Sequence, residues 1–103
     1  MAVARNSFNS ALGGDFVRTK IKSSPSGSIT FGRIYHVKNE YVEYFYGNAY
    51  YDGAKIQALY NFKKREAFGT GSRKIPQNQW KFIRNELLQY FQNLELEYKS
   101  LHK

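Results

Sequence analysis

The chain has 103 residues, no cysteine and a net charge of +8, with a pI near 9.8. That length suits one small domain rather than two independent cores. The lack of cysteine excludes disulfides, thiolate metal sites and thiol nucleophiles together, and with them a stapled secreted scaffold. Aromatic residues make up 17% of the chain, too many rings for so small an interior, so some are expected at the surface, where flat faces can stack on bases. The charge is unevenly placed. Residues 1 to 81 carry thirteen Lys or Arg against five acids, while residues 82 to 103 carry three of each. A basic, ring-rich surface of this kind is the electrostatic footprint of a phosphate-backbone binder. The amino end lacks the apolar core of a signal peptide, and no run approaches the ~18 residues of a membrane span, so a soluble intracellular protein of cytoplasm or nucleoid is expected, with a viral origin left open.

Residues 1 to 27 are rich in Ser, Asn and Gly and are expected to form a flexible basic arm ahead of a single domain at 28 to 103. Within the arm, Phe16 to Lys22 alternates, with Arg18, Lys20 and Lys22 on one side and Val17, Thr19 and Ile21 on the other. As an edge strand or a mobile arm it would clamp phosphates; the plainer alternative is a solvated tail. Ile29 to Lys38 reads as a strand with Phe31, Arg33, Tyr35 and Val37 on one face and Ile34 and His36 on the other. Asn39-Glu40 is a turn into Tyr41 to Tyr46, and Gly47-Asn48 and Asp52-Gly53 are further turn signals. Lys55 to Lys63 is the clearest strand. Ile56, Ala58, Tyr60 and Phe62 share one face, and Lys55, Gln57, Leu59, Asn61 and Lys63 the other.

Residues 63 to 74 read as a flexible basic loop around Gly69-Thr70-Gly71. Neither a P-loop nor a dinucleotide fingerprint is present. Lys63-Lys64-Arg65 and Arg73-Lys74 are expected to hold phosphates from either side of that loop. From Pro76 the pattern becomes a helix. Trp80, Ile83, Leu87, Tyr90 or Phe91, Leu94, Tyr98 and Leu101 recur at steps of three and four, one helical face. A helix to residue 103 would be roughly 40 Å long, so its last turns are expected to overhang, fray or meet another copy.

Groups able to converge for catalysis are sparse. His36 lies mid-strand and His102 at the chain end, which makes neither a metal motif nor a triad partner. No carboxylate pair is expected to face a common cleft, and Glu86, Glu95 and Glu97 read as solvated helix residues. The expectation is no enzyme, no catalytic residue, no metal and no cofactor.

The carboxyl half, from strand Lys55 to Phe62 through a basic Gly-containing loop to Arg73-Lys74-Ile75-Pro76-Gln77-Asn78-Gln79-Trp80, resembles the positive cofactor four family of single-stranded DNA-binding transcription coactivators and its bacterial and phage relatives. Ile75 matches a hydrophobic position and Gln79-Trp80 the helix opening, whereas Pro76 stands where a Ser or Thr cap is usual. The resemblance implies a curved four-stranded antiparallel sheet followed by a helix, dimerising largely through the helices, with sheets and loops holding single-stranded nucleic acid.

Together these readings give an α+β domain, a curved four-stranded antiparallel sheet and one long C-terminal helix, that binds single-stranded DNA or RNA with little sequence preference, as in replication or transcription. Arg18, Lys20, Lys22, Arg33, Lys55, Lys63, Lys64, Arg65, Arg73 and Lys74 would neutralise phosphates; rings among Tyr35, Tyr44, Tyr46 and Tyr60 would stack on bases. Tyr60 also reads as a core residue. Trp80, Ile83, Leu87, Phe91 and Leu94 would form the interface of a homodimer or larger homo-oligomer. The alternative is a protein-interaction module of a phage or mobile element whose Tyr-rich sheet docks an acidic protein partner.

Overall fold

The computed structural model describes residues 14–71 and 73–101; the first half of the expected arm, residues 1–13, and His102 lie outside that range. Among the described residues, β1 (Asp15–Val17), β2 (Ile29–Lys38), β3 (Glu43–Tyr51), β4 (Ala54–Asn61) and β5 (Glu66–Gly71) form one antiparallel sheet in sequence order. A 3-10 turn at Gln77–Gln79, with Pro76 at its N-cap, leads into α1 (Trp80–Leu101). The class is α+β, with five strands rather than four. No described helix is long and apolar enough to cross a membrane.

Two of the strands differ from the sequence expectation for local reasons. Gly47 does not turn the chain; β3 runs straight through it. Opposite, β2 carries an extra residue, since Phe31 pairs with Ala49 but the next paired residue, Ile34, meets Gly47. A Cβ on Gly47 would stand 2.3 Å from the Arg33 carbonyl oxygen, so only glycine admits this bulge. The extra residue resets the alternation. Ile29, Phe31, Ile34 and His36 thus all face the helix, and Phe31 parts from Arg33, Tyr35 and Val37.

The second difference is β5, which occupies the stretch expected to be a loop. Its inward positions are Ala67, Gly69 and Gly71, in register with Tyr60, Ala58 and Ile56 of β4. The Gly-x-Gly pattern is the small-residue side of an alternating strand, over which α1 lies close enough for Trp80 and Leu87 to touch Gly69. Asp52-Gly53, both at positive φ, make the tight β3–β4 turn as expected.

The inner face of the sheet and the stripe of α1 together make the core. Phe45, Ile56, Ala58 and Tyr60 meet Ile83, Leu87, Tyr90, Phe91 and Leu94, all buried, and Phe31 stacks on Tyr90 with centroids 3.6 Å apart. Ile83, Leu87, Phe91 and Leu94 are wholly enclosed by their own sheet. They cannot be the dimer interface, because a single aromatic sheet face already uses the whole stripe; Trp80 packs beside Gly69 and is partly exposed.

The helix does not overhang through Tyr98, whose hydroxyl lies 3.0 Å from His36 Nδ1. His36 Nε2 lies 2.8 Å from Glu43 Oε2, so the ring ties the helix to β3. Residues 18 to 27, expected to be mobile, are a strap running antiparallel along α1. Ser26 donates to Glu86, Tyr90 to the Ile21 carbonyl at 2.8 Å, and Thr19 to Glu97 at 2.5 Å.

Candidate nucleic-acid interface

With one sheet face given to the helix, strand register fixes what the opposite face displays. Phe16 pairs with Tyr35, Tyr35 with Tyr46, Tyr46 with Leu59 and Leu59 with Phe68. Directly paired residues share a face, so one apolar row crosses all five strands. Phe16 and Tyr35 meet edge to face at 6.1 Å, and Tyr35 and Tyr46 stack at 5.4 Å. Phe16 and Phe68, at the two ends of the row, are 51% and 48% exposed; Tyr35 is half-buried between them.

Parallel rows flank this one. Val37, Tyr44, Asn61 and Glu66 form one; Asn48, Gln57 and Thr70 a second; Thr30, Tyr50 and Lys55 a third, with Tyr50 41% exposed. The bulge turns Arg33 outward, where its guanidinium carbon lies 5.7 Å from the Phe16 ring centre. A cation over an exposed ring offers a phosphate contact and a stacking face within one nucleotide's reach.

Tyr46 belongs to this row but is fully buried, and burial, with Tyr35 and Tyr44 close by, raises its pKa. It serves as a neutral floor and not as an open stacking face. Tyr60 lies on the opposite face, buried in the core, its hydroxyl donating to Glu95 Oε1 at 2.8 Å. Burial and the Glu95 carboxylate push its pKa far up. Tyr60 is therefore removed from the base-stacking set.

The predicted cations separate into four places. Arg33 and Lys55 belong to the outer face of the sheet, and Lys63, Lys64 and Arg65 are exposed at the β4–β5 turn. There Asn61 Oδ1 accepts from the Lys64 amide at 3.0 Å and Arg65 takes a positive φ of 55°. Arg73 and Lys74 follow the far end of β5, so six strand residues part them from the first cluster, and the two do not flank a loop. Arg18, Lys20 and Lys22 lie on the strap beside α1, in the helix layer.

The helical carboxylates are not solvated as expected. Glu86 and Glu95 are buried; Glu86 accepts from Ser26, Glu95 from Tyr60 and Lys99, and Glu97 from Thr19. Every Lys and Arg among the described residues is exposed, fourteen in all, while of the acids only Asp15, Glu40, Asp52 and Glu66 are. Half the acids are thus turned inward, and the surface is more basic than the composition suggests.

Sequence reasoning missed Phe16, Tyr50 and Phe68. Phe68 had a readable signal, since Ala67-Phe68-Gly69-Thr70-Gly71 alternates small inward residues with larger outward ones. Comparison with protein-family models, curated proteins and solved structures finds no match for this chain.

Proposed function

We propose that the protein binds single-stranded nucleic acid with little sequence preference, on the sheet face opposite the helix. The observation that carries this reading is the five-strand row Phe16, Tyr35, Tyr46, Leu59 and Phe68, exposed at both ends, with Arg33 over Phe16. Bases of any identity stack on such rings, because every base has a π-face. Arg33, Lys55, Lys63 and Lys64 supply phosphate contacts, which set affinity without reading sequence. The flanking Asn48, Gln57, Asn61 and Thr70 are neutral hydrogen-bonding groups. An antiparallel sheet followed by one helix is also the order that the likeness to the positive cofactor four family implies.

The test is a fluorescence titration of a labelled oligothymidylate and of a duplex over a range of salt. Affinity for the single strand should fall with a slope near −0.7 per phosphate contact. Tyr35→Ala or Phe16→Ala should each weaken binding by about 1 to 3 kcal/mol. A flat salt response, or variants that bind as the parent does, would refute the proposal.

A further inference from the structure

Among the described residues the sheet ends at β5, whose outer edge is the longer of the two: β5 has six residues, whereas β1 at the opposite edge has three. Edge strands normally carry a guard, such as an inward charge, a proline, a bulge or a very short length. Glu66–Gly71 contains no proline and no lysine, its inward positions are Ala67, Gly69 and Gly71, and it pairs with β4 without a register shift. Beside this edge runs an open groove of about 710 Å³ between β5 and the first turns of α1. Phe68, Phe82 and Leu88 line it, with Phe82 itself 43% exposed, and Arg65, Lys81 and Arg84 stand around it against one carboxylate, Glu66.

The helix has no acid in its first turn, and Lys81 and Arg84 sit near the end where the helix dipole disfavours cations. An anionic occupant would relieve that conflict. A second copy of this chain would bring the same cations to the same edge and a further charge of +8. A DNA backbone offers acceptors only, and RNA adds one 2′-hydroxyl per nucleotide at a spacing unlike a strand's, so neither matches the alternating groups of the edge. An extended peptide has donors and acceptors in alternation and extends the ladder.

We infer that the β5 edge takes an acidic peptide as a sixth strand. Its carboxylates meet Arg65, Lys81 and Arg84, and its apolar side chains rest against Phe68 and Phe82. This surface meets the row around Tyr35 at Phe68 alone; its backbone edge and its cations on the helix are its own, and the inference does not depend on nucleic-acid binding on the row.

The experiment uses the full chain with an acetylated octapeptide alternating glutamate and valine, and its lysine-for-glutamate counterpart. The acidic peptide should bind at least about tenfold more tightly than the basic one and should protect amides of residues 66–71 from hydrogen exchange. The double variant Lys81→Glu/Arg84→Glu should reverse the preference. It places acids where the dipole favours them, so the fold is kept. Tyr35→Ala should leave peptide binding unchanged. No binding of the acidic peptide, equal affinity for both peptides, or absent protection at β5 would each overturn the inference.

Discussion

Adding one methyl group at Gly69 separates a strand packed under a helix from a phosphate-binding loop. A Cβ there would lie 2.8 Å from Leu87 Cδ1 and 3.3 Å from both Ile56 Cγ2 and Trp80 Cζ3. Carbon atoms prefer ~3.5 to 4.0 Å, so three neighbours must give way, and the nearest of them, Leu87, is wholly buried. Overpacking of this kind costs about 1 to 3 kcal/mol. For a domain of this size that lowers Tm by about 5 to 20 °C. Thermal unfolding followed by circular dichroism would measure it, with Thr70→Ala on the outward side as the control, expected within about 0.5 kcal/mol of the parent. If Gly69→Ala unfolded at the parent's temperature while oligonucleotide binding fell, Gly69 would belong to a ligand loop and the packing argument would fail.

Other consequences can be checked in the same way. Tyr60→Phe removes a buried hydrogen bond to a carboxylate and should cost about 1.5 to 3 kcal/mol of stability in denaturant titrations while leaving single-strand affinity intact; a loss of affinity without a loss of stability would return Tyr60 to the binding face. Leu87→Ala should cost about 2 to 5 kcal/mol with Tm independent of protein concentration. A Tm that rises with concentration would instead give Leu87 to a subunit interface. Burial alone would raise the pKa of Glu95, but hydrogen bonds from Lys99 and Tyr60, with the charges of Lys99 and Arg65, hold it below its ordinary value of 4.5. Its contribution to stability is therefore present above that value and lost as pH falls through the lower, folded-state value. The stability gap between the parent and Glu95→Gln should narrow as pH is lowered in that window, and a gap constant with pH would contradict the assignment.

The helix and β4 were legible because each shows its buried face at a single period over many residues. What the stripe packs against was not legible. Leu87 and Phe91 look the same facing a sheet or a second helix, and only the aromatic inner face of β2, β3 and β4 decides it. The bulge at Phe31 to Ile34 was hidden because an extra residue shows only against the strand it pairs with, although Gly47 marked the position. β5 was concealed by its flanks, since Lys63-Lys64-Arg65 and Arg73-Lys74 gave its glycines the look of a loop. The inward Glu86, Glu95 and Glu97 were unreadable for a similar reason. Their partners Ser26, Tyr60 and Thr19 stand 35 or more residues away in sequence.

The binding row follows from that same register, since Phe16, Tyr35, Leu59 and Phe68 come together only once all five strands are aligned. Backbone amide chemical shifts recorded during titration with an oligothymidylate test its role most directly. The account predicts the largest shifts at Phe16, Arg33, Tyr35, Asn48, Gln57 and Phe68, with little change along Glu86 to Tyr98 of the helix. Shifts concentrated on the strap and the helix, with the outward residues of the sheet unmoved, would contradict it.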